Sequence, residues 1–111
     1  MQLILDTNLS YNEKKETIDN YLQKMGLILF QNCKHIETVP ENLKSKITAS
    51  LCISYLKNLY QDYLSITIDQ FKQSNMGSKV LFSFSLNENH ISDIAEITKN
   101  IYKDSEDISE R

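Results

Sequence analysis

The sequence predicts an α+β fold, a single compact domain in which a small mixed sheet is covered by helices in the order β-α-β-α-β-β-α. Apolar residues recur at helical spacing over three long stretches, and the runs between them alternate or are continuously apolar, as strands require. The chain has 111 residues, enough for one buried core and too few for two. Hydrophobic residues make up 41% and charged residues 24%, with two Gly and one Pro, a balance that excludes general disorder and repetitive or collagen-like chains.

Each element has its own signal. Met1 to Asp6 reads as a short strand with Leu3 and Leu5 on one face. Ser10, Tyr11, Asn12 and Glu13 spell a capping box, in which the Ser hydroxyl accepts the Glu13 N–H and the Glu carboxylate accepts the Ser10 N–H. A helix over about 11 to 25 follows on Tyr11, Ile18, Tyr21, Leu22 and Met25, with Gly26 placed as its left-handed stop. Leu27 to Phe30 is a continuous apolar run, read as a buried strand parallel to the first. Thr38, Val39, Pro40 and Glu41 suggest a second capping box with Pro in the first turn. The long helix after it carries Leu43, Ile47, Leu51, Tyr55, Leu56, Leu59, Tyr60 and Tyr63 as its apolar stripe.

At Leu64 the period changes. Leu64, Ile66 and Ile68 alternate with Ser65, Thr67 and Asp69, which predicts a strand, while one long helix running to Phe71 would also place Tyr60, Leu64, Ile68 and Phe71 together. Ser74 to Ser78 holds the second Gly and reads as a turn. Val80, Phe82, Phe84 and Leu86 then alternate with Leu81, Ser83 and Ser85, the clearest strand pattern in the chain, with both phenylalanines expected in the core. Ile91, Ile94, Ile97, Thr98, Ile101 and Tyr102 mark a last helix capped near Asn87 or Asn89. The domain is thus expected over residues 1–103, with 104–111 a frayed acidic tail.

Charge narrows the function classes. The formal net charge is −3, with one arginine, Arg111, so a nucleic-acid binder working through a basic face is disfavoured. Residues 87 to 111 hold seven acids against Lys99, Lys103 and Arg111, so the acidity belongs to the C-terminal end. Cys33 and Cys52 are too few for a secreted disulfide framework, which points to free thiols and a cytoplasmic setting. No apolar run approaches the roughly 20 residues that span a bilayer, so no membrane partner is expected. Cys33, His35, Cys52 and His90 are the ligand types zinc favours, but their spacing is not that of a zinc site, and His90 reads as a solvated first-turn residue. No metal or other cofactor is expected.

Two short resemblances can be placed on residues. Leu3, Ile4, Leu5, Asp6, Thr7, Asn8 and Leu9 resemble the first strand of PIN-domain ribonucleases, which implies a metal-ligating role for Asp6, with Glu37 or Glu41 and Asp93 as the other carboxylates. From residue 41 onward, the order helix, hairpin, terminal helix resembles the second half of class I type III secretion chaperones, small acidic cytoplasmic dimers that hold a protein segment. The first half departs from that pattern, with a strand ahead of its first helix.

The resulting expectation is a non-enzymatic protein-binding module. It would be a small acidic chaperone or adaptor, or an inhibitor of the immunity, antitoxin or anti-defence kind, with a metal-dependent ribonuclease relic around Asp6 as the alternative. Tyr55, Tyr60 and Tyr63 spread over more of the long helix than one core can cover, so they are the expected contacts to a second copy or another protein. Asp104, Glu106 and Asp107 would steer a basic partner.

Overall fold

The computed structural model describes residues 2–74 and 79–109, with side chains over 2–73 and 79–102. Its elements are β1 (Gln2–Asp6), α1 (Tyr11–His35), α2 (Glu41–Lys44), α3 (Ala49–Ser74), β2 (Lys79–Ser83) and α4 (Glu88–Ser109). The chain is mostly helical, an α+β domain with one small sheet of two antiparallel strands. Leu3 lies opposite Phe82 and Leu5 opposite Val80, and these four side chains face the core.

The body of the molecule is the antiparallel pair α1 and α3. On α3, Cys52, Leu56, Leu64 and Ile68 are buried and Tyr60 is half-buried, one residue in every four. On α1, Ile18 and Leu22 continue to Gly26, while Met25, Leu29 and Cys33 form a second row with the same step. Rows of this spacing on both helices interdigitate as ridges and grooves. The Lys14 ammonium donates to Asp69 Oδ1 at 2.7 Å, and Gln61 Nε2 donates to Asp19 Oδ1 at 3.0 Å, fixing the register of the pair.

Several expectations change here. Leu27 to Phe30 is not a strand but the interior of α1. Gly26 does not end the helix; it is buried where α1 meets α3, and a Cβ there would stand 2.7 Å from Ile53 Cα. Leu64 to Phe71 is helical, the second of the two readings its pattern allowed. The four-stranded mixed sheet and the parallel pairing of its first strands are therefore replaced, among the described residues, by β1 and β2 alone. The hairpin on which the secretion-chaperone resemblance rested disappears with the 64–71 strand.

The long second helix is also divided. Pro40 is the N-cap of α2, and no side chain caps it, so the expected box at Thr38 and Glu41 does not form. After Lys44 the chain tightens: Lys46 N–H donates to Leu43 O and Ile47 N–H to Lys44 O, while the Lys34 ammonium also takes the Lys44 carbonyl. Thr48 then caps α3, its Oγ1 accepting the Leu51 N–H at 3.1 Å.

Other signals hold. The Ser10 and Glu13 capping box forms in both directions, at 3.2 and 3.3 Å. Asn87 Oδ1 accepts from Asn89 N–H at 2.9 Å at the start of α4. Val80 and Phe82 are buried as expected, whereas Phe84 and Leu86 lie beyond β2 and are half-buried. Of the turn expected over Ser74 to Ser78, Ser74 is the last residue of α3 and 75–78 lie outside the described residues.

Candidate functional site

The tyrosines proposed as contacts separate into two groups. Tyr55 and Tyr60 hold α4 against α3. The Tyr55 hydroxyl donates to Asp93 Oδ2 at 2.5 Å. Burial, together with that hydrogen bond and the carboxylate's charge, pushes the Tyr55 phenol well above its ordinary range. Tyr60 Oη lies 2.8 Å from His90 Nε2, and its ring packs edge-on against Phe84 at 4.8 Å. His90 Nδ1 accepts the Asn87 N–H, so the neutral ring carries its proton on Nε2 and donates it to Tyr60. His90 is thus a half-buried link between α3, Asn87 and α4, not the solvated first-turn residue its position suggested.

Tyr63 belongs to the second group. Leu59, Tyr63 and Ile66 are 48%, 58% and 55% exposed and follow one another at i, i+4 and i+7, so they form one apolar stripe on the outer side of α3. The Tyr63 ring also meets Phe82 edge-on at 6.4 Å, tying the stripe to β2. Asp62 is exposed beside it. Ile4 and Leu81, opposite each other on β1 and β2, are exposed on the sheet's outer face. The sequence reading names Tyr63 among its expected contacts but not Leu59 or Ile66. The four-then-three spacing was visible; what hid it was the reading of 64–71 as a strand, which cut the stripe in two.

Asp104, Glu106 and Asp107 fall within α4, but their side chains lie outside the described residues. Asp6 ends β1, and its Oδ1 accepts the Asn8 N–H at 2.8 Å, the geometry of a turn-closing carboxylate. Among the described residues no three His, Cys, Asp or Glu side chains come together as a metal would need.

Cys33 and Cys52 face each other across α1 and α3, buried and without a disulfide. The Cys52 thiol hydrogen-bonds Cys33, which lowers the Cys33 pKa and, with burial, raises that of Cys52. His35 is exposed near this pair while His90 sits with Tyr60, so the four residues of zinc-ligand type do not form one cluster. Among the described residues, no helix is long and apolar enough to cross a membrane.

Compared with known protein families, with curated proteins and with solved structures, the chain matches none.

Proposed function

We propose that the chain is a non-enzymatic protein-binding module that takes its partner on the outer side of α3. It acts as a small cytoplasmic chaperone or adaptor, or as an inhibitor of the immunity, antitoxin or anti-defence kind. The observation that carries this reading is the stripe Leu59, Tyr63 and Ile66, three large apolar side chains left about half exposed on a helix whose other side is fully packed. Such a stripe costs solubility unless something covers it, and a helix face with anchors at i, i+4 and i+7 is a common way for one protein to hold another. Tyr63 suits the role, since it offers a large ring with a polar tip at little entropic cost.

Charge selects the partner. Asp62 flanks the stripe and the chain carries a net −3, so a partner with a lysine- or arginine-rich rim is attracted, whereas a second copy brings the same negative charge. The acids Asp104, Glu106 and Asp107 would aid approach to such a surface. Affinity capture from the source cell tests the reading, with the wild type set beside Tyr63→Lys and Leu59→Lys. The expected outcome is one stoichiometric partner, lost in both variants while their melting temperatures stay within a few degrees of the parent. Equal capture by all three proteins overturns it.

A further inference from the structure

Among the described residues the sheet has two strands, and the outer edge of β2 is open. In an antiparallel pair alternate residues turn both N–H and C=O away from the partner strand, so at least two of the five residues of β2 present such groups on that edge. No N–H or C=O of Lys79 to Ser83 bonds anything but β1 among the described residues. Proteins commonly blunt an edge of this kind with charge, proline or a bulge. From Val80 to Ser83 β2 has none of these: its register with β1 is unbroken, and its one charge, Lys79, stands at the end of the strand across from Asp6.

That edge lies beside the stripe on α3. β1 is the strand set against α1, whereas Phe82 of β2 meets Tyr63 edge-on at 6.4 Å. The outer edge of β2 therefore turns toward Leu59, Tyr63 and Ile66. From Leu59 to Ile66 the stripe runs about 10 Å along the helix, and β2 is about 13 Å long as a strand, so one short extended segment reaches both. The outer face of the sheet gives an independent sign. Ile4 and Leu81 stand directly opposite each other there, 62% and 58% exposed, between the polar pairs of Gln2 with Ser83 and Asp6 with Lys79. They begin an apolar row across the sheet, and the next position in that row belongs to a strand beyond β2.

We propose that β2 takes up an extended segment of another protein as a third strand, laid over the α3 stripe. This rests on the reading of that stripe as a partner site and adds the form in which the partner binds. Main-chain hydrogen bonds to β2 would supply affinity, and alternate side chains specificity. The residues facing α3 would be apolar, to cover Tyr63 and Ile66, and so would the residue beside Leu81 on the outer face. A basic residue nearby would meet the exposed Asp62. A helix docked on the stripe would cover Leu59, Tyr63 and Ile66 but leave the edge groups of β2 and the row of Ile4 and Leu81 as they are. A second copy offers the same edge, but it also brings a second Asp62 and a net charge of −3 to the contact.

The test is titration of the ¹⁵N-labelled full chain with an end-blocked peptide, Lys-Val-Thr-Val-Ile-Val-Lys, and with its fully N-methylated form, followed by amide shifts. The peptide should give saturable shifts at Val80 to Ser83 and at Tyr63 and Ile66. Its N-methylated form, which can donate no main-chain bond, should bind about tenfold more weakly or worse. Tyr63→Lys and Leu81→Lys, both at exposed positions, should each weaken the peptide several-fold with melting temperatures close to the parent's. No saturable shift in β2, or equal binding by the N-methylated peptide, overturns the third strand. Peptide binding at β2 that survives Tyr63→Lys unchanged overturns its placement over the stripe. Shifts in β2 that grow with protein concentration alone, with a dimer in sedimentation, overturn another protein as the occupant in favour of a second copy. Loss of capture from the source cell in Tyr63→Lys without any peptide shift in β2 keeps the partner site and removes the strand, so the two readings fail separately.

Discussion

Gly26 and Tyr55 show how much rests on single residues. A methyl group at position 26 would meet Ile53 backbone atoms at 2.7 and 2.9 Å, which no side-chain rotation can relieve. Ala gains about 1 kcal/mol in helix propensity over Gly, but separating α1 from α3 undoes tight packing. Gly26→Ala should therefore destabilise by roughly 1–3 kcal/mol in chemical denaturation. Tyr55 makes a prediction about pH. Its phenol is raised above the ordinary 10.0 in the folded chain, and burial raises that of Tyr21 as well. Above about pH 10 the unfolded chain therefore binds fewer protons than the folded one, and stability falls as pH rises further. The melting temperature should drop between pH 9.5 and 11, and less steeply in Tyr55→Phe, which at pH 7 should cost about 0.5–1.5 kcal/mol for the lost bond to Asp93.

At the level of elements, α1 is the sharpest departure from what the sequence pattern suggested. As a strand buried on both faces, Leu27 to Phe30 would show four costly positions. In the helix only Leu29 is fully buried, while Leu27 and Ile28 are partly exposed. Leu29→Ala should cost about 2–5 kcal/mol and Ile28→Ala well under half of that, measured by urea denaturation. Signals confined to a few neighbouring residues were legible: the Ser10 and Glu13 box, the Asn87 cap, and the alternation of Val80 and Phe82. Those that depend on distant parts of the chain were not. Gly26 reads the same whether it stops a helix or lets a second helix approach, and only Ile53, 27 positions later, decides between them. Leu64, Ile66 and Ile68 alternate as a strand would, yet Leu64 and Ile68 are also one helical turn apart. Their burial in the row begun at Cys52, with the bond from Asp69 to Lys14, settles the matter in favour of helix. The apolar excess of the tyrosine-bearing helix was visible, but which residues it left uncovered was not, because that depends on where α1, α4 and β2 pack.

The whole molecule is long and thin. Its principal extents are 58 × 29 × 18 Å and its radius of gyration is 17.1 Å, against about 13 Å for a round domain of this length. A body 18 Å across holds about two layers, so elements with apolar residues on more than one side cannot bury them all. That shape explains why Leu59, Tyr63 and Ile66 face outward while the single core from Leu3 to Ile94 is well packed. The central claim is that another protein covers this stripe. A photoreactive residue placed at position 63 in the source cell tests it most directly, with the same residue at the exposed position Glu96 of α4 as the control. The account predicts a single discrete adduct with another protein from position 63 and none from Glu96. It is contradicted by the absence of any adduct from position 63, or by the same diffuse adducts from both.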